Sequence, residues 1–140
     1  MIIMAKKNQH ISKILIDSRE QKMINKSMAF FKNHHISAEV RTLQDGDLIF
    51  LLDNQEKVYI ERKSFPDYVS SYIKNKHIQD QAVRLSAYNY YACIVHGNIL
   101  DLKRIPALRK ISQDSINKMT AKLMLFYKLP IFLLKMKNSI

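Results

Sequence analysis

The residues best suited to chemistry in this sequence lie in VYIERKSFPD, residues 58 to 67. A strand-like apolar run ends there in Glu61, Arg62 and Lys63. Side chains alternate along a strand, so Glu61 and Lys63 share one face and Arg62 takes the other. A carboxylate with an ammonium two positions on suits metal-assisted hydrolysis. The carboxylate holds Mg2+, and the ammonium orients or helps deprotonate the attacking water and neutralises a phosphate oxygen. The plainer reading is a Glu/Lys pair at an exposed strand end, and for this stretch alone it is the favoured one.

The distribution of acids alters that balance. The chain has only 12 Asp and Glu against 23 Lys and Arg, a net charge of +11. Five of the 12 acids (Asp17, Glu20, Asp47, Glu61 and Asp67) fall at the ends of expected elements. Acids that merely solvated a surface would be scattered. Asp47 opens the first strand of an expected hairpin and Glu61 closes the second. With DNQE as the loop, Leu52 faces Lys57 and Asp47 faces Arg62. Strict pairing then puts Asp47 on the wrong face to share an ion with Glu61. Co-ligation requires a loop of odd length, a bulge, or Asp47 just outside the ladder after Gly46, and one of these is expected. Asp17 ends the first strand, in DSRE, where α/β sheets build their sites. A third carboxylate there completes the metal site or binds a second ion, but it could equally cap the next helix. Glu20 and Asp67 share the alternative of a favourable first-turn charge, and Asp67 could instead pair with Arg62.

The elements that must position these residues are legible in outline. KILID (13–17) reads as a short buried strand and 21–35 as a helix. SAEVRTL (37–43) alternates as a strand, and DLIFLL and KVYIER flank DNQE as a hairpin. Ser64 caps a helix that has Pro66 in its first turn. A second helical pattern covers 77–90, and YACIVHG (91–97) is a buried strand ended by Gly97. Residues 102–110 are ambiguous. Residues 112–129 read as a helix started by Ser112 or Asp114, with Ile116, Met119, Leu123 and Phe126 on one face, and PIFLLKM is a last strand. That order predicts an α/β layer fold, a mixed central sheet flanked by helices.

At 140 residues the chain is expected to form a single domain, 1–140, long enough for a core. Its 47% apolar content excludes a disordered polyelectrolyte, and its basic excess favours a polyanionic partner, usually nucleic acid. Lys74, Lys76 and His77, then Lys103, Arg104, Arg109 and Lys110, then Lys135 and Lys137 are candidates for phosphate contacts. For any one lysine, a solvated surface charge is the simpler reading. Tyr88, Tyr90 and Tyr91 suit core packing better than base stacking. The lone Cys93 excludes a disulfide framework within the chain and fits a reducing, cytoplasmic compartment. His34, His35 and His96 show no zinc spacing. No run reaches transmembrane length, so no membrane partner is expected.

Taken together, Gly46-Asp47, then Glu61-Arg62-Lys63, then Asp67 read GD…ERKxxxD, which resembles the signature of the XPF-type structure-specific nucleases. DSRE, Asp17 to Glu20, resembles the DxRE after that family's first strand, and NKHIQDQ (75–81) extends the likeness. The resemblance implies a restriction-endonuclease-like core and a divalent-metal-dependent endonuclease cutting branched DNA such as flaps, forks or junctions. It implies Asp47 and Glu61 as ligands of Mg2+, with Mn2+ substituting and Asp17 beside them. Lys63 serves the attacking water, and Arg62, Glu20 and Asp67 support the site. Arg19, Lys74, Lys76, His77 and Gln81 are the implied DNA contacts, and a homodimer through the later helices is implied too. Two departures stand out. His77 occupies a position where the family usually has Arg, which makes it a weaker, pH-dependent cation. The two glycines, Gly46 and Gly97, leave no paired-glycine hairpins for a helix-hairpin-helix module, and a helicase domain is lacking. Such a small format is compatible with a phage or mobile-element protein. Two other functions compete: a catalytically inactive DNA-binding scaffold on the same fold, disfavoured by the presence of Asp47, Glu61 and Lys63, and a basic RNA binder, which leaves the grouped acids unexplained.

Overall fold

The computed structural model describes residues 10–134. Its elements run β1 (Ile11–Asp17), α1 (Ile24–Asn33), β2 (Ala38–Arg41), β3 (Leu48–Leu52), β4 (Lys57–Ser64), α2 (Phe65–Ile73), α3 (His77–Leu85), β5 (Tyr90–His96), a 3₁₀ helix (Ile99–Arg104), α4 (Gln113–Leu125) and β6 (Ile131–Leu134). The strands form one mixed sheet in the order β2-β1-β3-β4-β5-β6, with helices flanking it. This is the α/β architecture expected from the element order. The chain divides into two compact units, one ending at Ile60 and the other beginning at Glu61.

In the first unit β1 pairs with β2 in parallel and with β3 in antiparallel fashion, and β3 and β4 form the hairpin. Ile14 to Asp17 are all buried, the pattern of a strand covered on both faces. Leu15, Leu43 and Ile49 form a core against which Leu51 and Tyr59 pack. Helix α1 starts later than the sequence pattern indicates. The residues before it form turns, with Glu20 N–H donating to the Asp17 carbonyl and Met23 N–H to that of Glu20. The N-cap position is Met23, without a side-chain cap, so Asp17 is not the cap of this helix. On edge strand β2, Glu39 forms ion pairs with Lys13 Nζ at 2.6 Å and with Arg41 Nε at 3.0 Å. Lys13 first, and then Arg41, hold its carboxyl below the ordinary glutamate range. Charges on an edge strand also discourage pairing with another chain.

The hairpin register differs from the one drawn with DNQE as the loop. Leu51 faces Lys57, Ile49 faces Tyr59 and Leu48 faces Ile60. Leu52 N–H closes the connection onto the Glu56 carbonyl, enclosing Asp53, Asn54 and Gln55, an odd number. Gln55, the last of these three, takes the left-handed conformation, φ 70°, common in three-residue hairpin loops.

In the second unit Ser64 caps α2 as expected, its Oγ accepting from Asp67 N–H at 3.3 Å with a proline in the first turn. Helix α3 ends at Leu85, short of the helical pattern to residue 90. Ser86 Oγ turns back onto the Val83 carbonyl, one way short polar side chains compete with the helix. The ambiguous segment contains the 3₁₀ helix, entered by a capping box between Asn98 and Asp101. Ser112 caps α4, whose Ile116, Met119 and Leu123 are buried. Phe126, grouped with them by spacing, is instead 75% exposed. It is the C-cap residue, where helical periodicity has ended. Lys135 and Lys137 lie outside the described residues.

Candidate active site

Asp17 is only 2% exposed, and its carboxylate is held from both sides. Its Oδ1 accepts from Leu43 N–H at 3.1 Å and its Oδ2 from Arg19 Nε at 2.8 Å. Arg19 Nη2 donates in turn to the Leu43 carbonyl at 2.7 Å. A buried carboxylate requires such partners, since leaving one unpaired costs several kcal/mol by the order of magnitude for buried ions. The arrangement ties the end of β1 to the segment that leads into Asp47. The backbone completes the tie: Asp17 N–H donates to the Asp47 carbonyl at 2.9 Å, and Asp47 N–H to the Ile60 carbonyl at 2.8 Å. Asp17 and Asp47 are thus brought together. Gly46 allows this with φ 80°, and a Cβ there would stand 3.3 Å from the Ile60 carbonyl oxygen. Arg19 is spent partly on Asp17, although its side chain stays 67% exposed.

In the second unit the charged end of β4 remains strand through Ser64, and Glu61 to Ser64 are all half-buried. The strand has not simply run out into solvent. Gln81 Nε2 donates to Glu61 Oε1 at 2.6 Å. An ionised carboxylate only accepts, which fixes the orientation of the Gln81 amide. Arg62 Nη1 lies 2.6 Å from His96 Nε2. Because a guanidinium only donates, this His96 nitrogen must be the unprotonated acceptor. The Arg62 side chain thus has a partner on β5. Asp67 serves the first turn of α2. Glu20 is half-buried in the turn after β1. Lys74, Lys76 and His77 are exposed at the entry to α3, where Lys76 has φ 53° and Asn75 Oδ1 accepts from His77 N–H. His77 and Gln81 are one turn apart on α3, while Ile78, Ala82 and Leu85 bury its other face. Lys103, Arg104, Arg109 and Lys110 are all exposed. Tyr91 donates its hydroxyl to the Lys128 carbonyl, a structural use.

The pattern of residues gives no hint of the His96 contact or of the Gln81 bond to Glu61, since 34 and 20 positions separate the partners. The likeness singles out Gln81, but as a DNA contact. Among the described residues no group of three or more His, Cys, Asp or Glu stands ready to hold a metal ion.

Residues 16–139 match the ERCC4 domain. The chain belongs to the ERCC4 domain family. The expected XPF-type nuclease kinship is thereby shown. Two solved structures share the fold of this ERCC4 domain. XPF from Aeropyrum pernix has a TM-score of 0.67 at 21% identity, covering 88% of this chain and 53% of that one. The same protein in complex with DNA gives 0.68 at 21% identity, with 89% and 56% covered. This ERCC4 domain thus spans about half the length of those proteins. No curated protein matches it.

Proposed function

We propose that this ERCC4 domain is a divalent-metal-dependent DNA endonuclease that hydrolyses phosphodiester bonds in branched DNA, such as flaps, forks or junctions, during repair, recombination or replication. The observation that carries the reading is the β3–β4 register. With Leu48 facing Ile60, odd-numbered positions of the two strands share a face. Glu61 and Lys63 have that parity on β4, and Asp47 stands just outside the ladder after Gly46, its N–H on the Ile60 carbonyl next to Glu61 in the chain, whereas the register drawn with DNQE as the loop would have put Asp47 on the Arg62 face. The family match and the DNA complex of the structurally similar XPF support the same reading.

The donor set fits Mg2+, with Mn2+ as a substitute. Mg2+ is commonly held by one or two carboxylates together with substrate phosphate and its own waters, rather than by an all-protein cage. Asp47 and Glu61 are the proposed ligands. When bound, the ion polarises the phosphodiester and makes a water more acidic. The chain's own residues do the rest. Gln81 holds Glu61, and Lys63 orients the attacking water and offsets phosphate charge. Water attacks phosphorus in line, the phosphorus–oxygen bond opposite breaks, and the leaving oxygen takes up a proton. Asp17 acts beside the ligands by holding the segment that carries Asp47, with Arg62, Glu20 and Asp67 supporting. Arg19, Lys74, Lys76 and His77 contact phosphate. The whole chain, 1–140, is read as one nuclease domain acting as a homodimer in an intracellular compartment. Among the described residues no helix is long and apolar enough to cross a membrane.

Labelled flap, fork, four-way junction, duplex and single-stranded DNA test this, each with Mg2+, Mn2+ or chelator. Metal-dependent cleavage of the branched substrates is expected. Asp47→Ala and Glu61→Ala should lose more than the roughly 10–100-fold typical of outer-shell partners. Cleavage surviving both substitutions would remove this site, and binding without cleavage under every condition would make the domain a scaffold.

A further inference from the structure

Gln81 is half-buried on α3, and the two ends of its amide are treated differently. Nε2 donates to Glu61 Oε1 at 2.6 Å. Oε1 is buried and has no hydrogen-bond partner among the described residues. A buried carbonyl oxygen without a partner costs roughly 1–3 kcal/mol, so its persistence calls for an explanation. Turning the amide over would not help, because it would set a carbonyl oxygen against the carboxylate. The bond to Glu61 therefore leaves Oε1 without a donor among the described residues.

We propose that Gln81 is a positioning residue for metal binding rather than a DNA contact: its NH2 group orients the Glu61 carboxylate, and its carbonyl accepts a hydrogen bond from a water of the ion's hydration shell. This rests on the reading of Glu61 as a ligand. The chemistry is suited to it. A hydrated divalent cation presents strongly polarised O–H donors, and outer-shell groups that hold a ligand and a hydrating water together commonly tune affinity by about 10–100-fold. The placement of α3 also fits a positioning role. Ile78, Ala82 and Leu85 fasten the helix to the interior, so Gln81 is carried on a rigid element.

The test uses the full chain and measures Mn2+ binding directly, by the signal of free Mn2+ or by calorimetry, without DNA. Gln81→Met keeps the volume and helix propensity but removes both polar ends. It should lower Mn2+ affinity by about 10–100-fold while leaving the melting temperature in chelator unchanged within a few degrees. Glu61→Ala is the control. If Glu61→Ala loses Mn2+ binding and Gln81→Met does not, the Gln81 inference is overturned while the metal reading stands. If Glu61→Ala binds Mn2+ like the parent chain, the metal reading falls and takes this inference with it. Weaker DNA binding by Gln81→Met in chelator, at unchanged Mn2+ affinity, would return Gln81 to a DNA-contact role and also overturn the proposal.

Discussion

Asp17 and Tyr68 show how single buried polar groups set the balance at the residue scale. Asp17 is surrounded by donors, so its charge is an asset only while Leu43 N–H and Arg19 are in place. Asp17→Asn keeps the shape and the Leu43 bond but removes the charge opposite Arg19. Hydrogen bonds to charged groups contribute about 1.5–3 kcal/mol, and since Arg19 is largely exposed the loss should sit at or below the low end of that range. Urea denaturation of the two proteins measures it. Tyr68 is fully buried, and its hydroxyl lies 2.6 Å from Thr120 Oγ1. Burial pushes its pKa from 10.0 up to about 12, against the smaller lowering effect of Thr120. The native state therefore keeps this proton when the unfolded chain has already lost it. Stability from this group is complete below pH 10 and is lost as pH rises to about 12. Tyr68→Phe should flatten that alkaline decline relative to the parent, at a cost near neutral pH of about 1 kcal/mol for the lost bond. Paired melts across pH 9 to 12 would show whether the two curves converge.

At the scale of elements, turns and caps do the placing. Gly46 has φ 80° and lies close to the Ile60 carbonyl, so Gly46→Ala combines a left-handed backbone with a tight contact. A cost of about 1–2 kcal/mol is expected, with a larger loss of cleavage than of stability because Asp47 is the next residue. Thermal melts beside single-turnover cleavage separate the two. If both fall in proportion, Gly46 is only a turn residue. Gly97 is more constrained, since a Cβ there would meet Asp101 Oδ2 at 2.6 Å and Phe65 Cβ at 3.2 Å. Ser64 ends β4 and starts α2 one residue after Lys63. Removing its cap in Ser64→Ala should cost about 1 kcal/mol, readable in a denaturant midpoint.

At the scale of the whole molecule, charge and apolar surface govern partners. With a net charge of +11, the proposed DNA binding should be chiefly a matter of counterion release. Affinity measured in chelator should fall by about 10³–10⁵ between 50 and 200 mM salt if six to ten phosphates are neutralised. Replacing Lys103 and Arg104 by Glu should reduce the slope, and an unchanged slope would place the contact elsewhere. Leu125 and Phe126, at the end of α4, are 65% and 75% exposed. Leu125→Ser with Phe126→Ser should turn the proposed dimer into monomer in sedimentation, without loss of fold.

The sequence by itself determined the element order, the cap at Ser64, the buried face of α4 through Leu123 and the grouping of acids at element ends. These follow from local periodicity and from pairings a few residues apart, which a linear reading captures. It left Asp17 open between capping and ligation, because burial and the Leu43 partner depend on a segment 26 positions away. It set the hairpin one residue out of register, because loop length hangs on whether Gln55 turns left-handed, a choice made by the closing bond from Leu52 to Glu56. It could not show Gln81 against Glu61 or His96 against Arg62. Only the tertiary structure decided those, since side chains far apart along the chain meet only once strands and helices have packed.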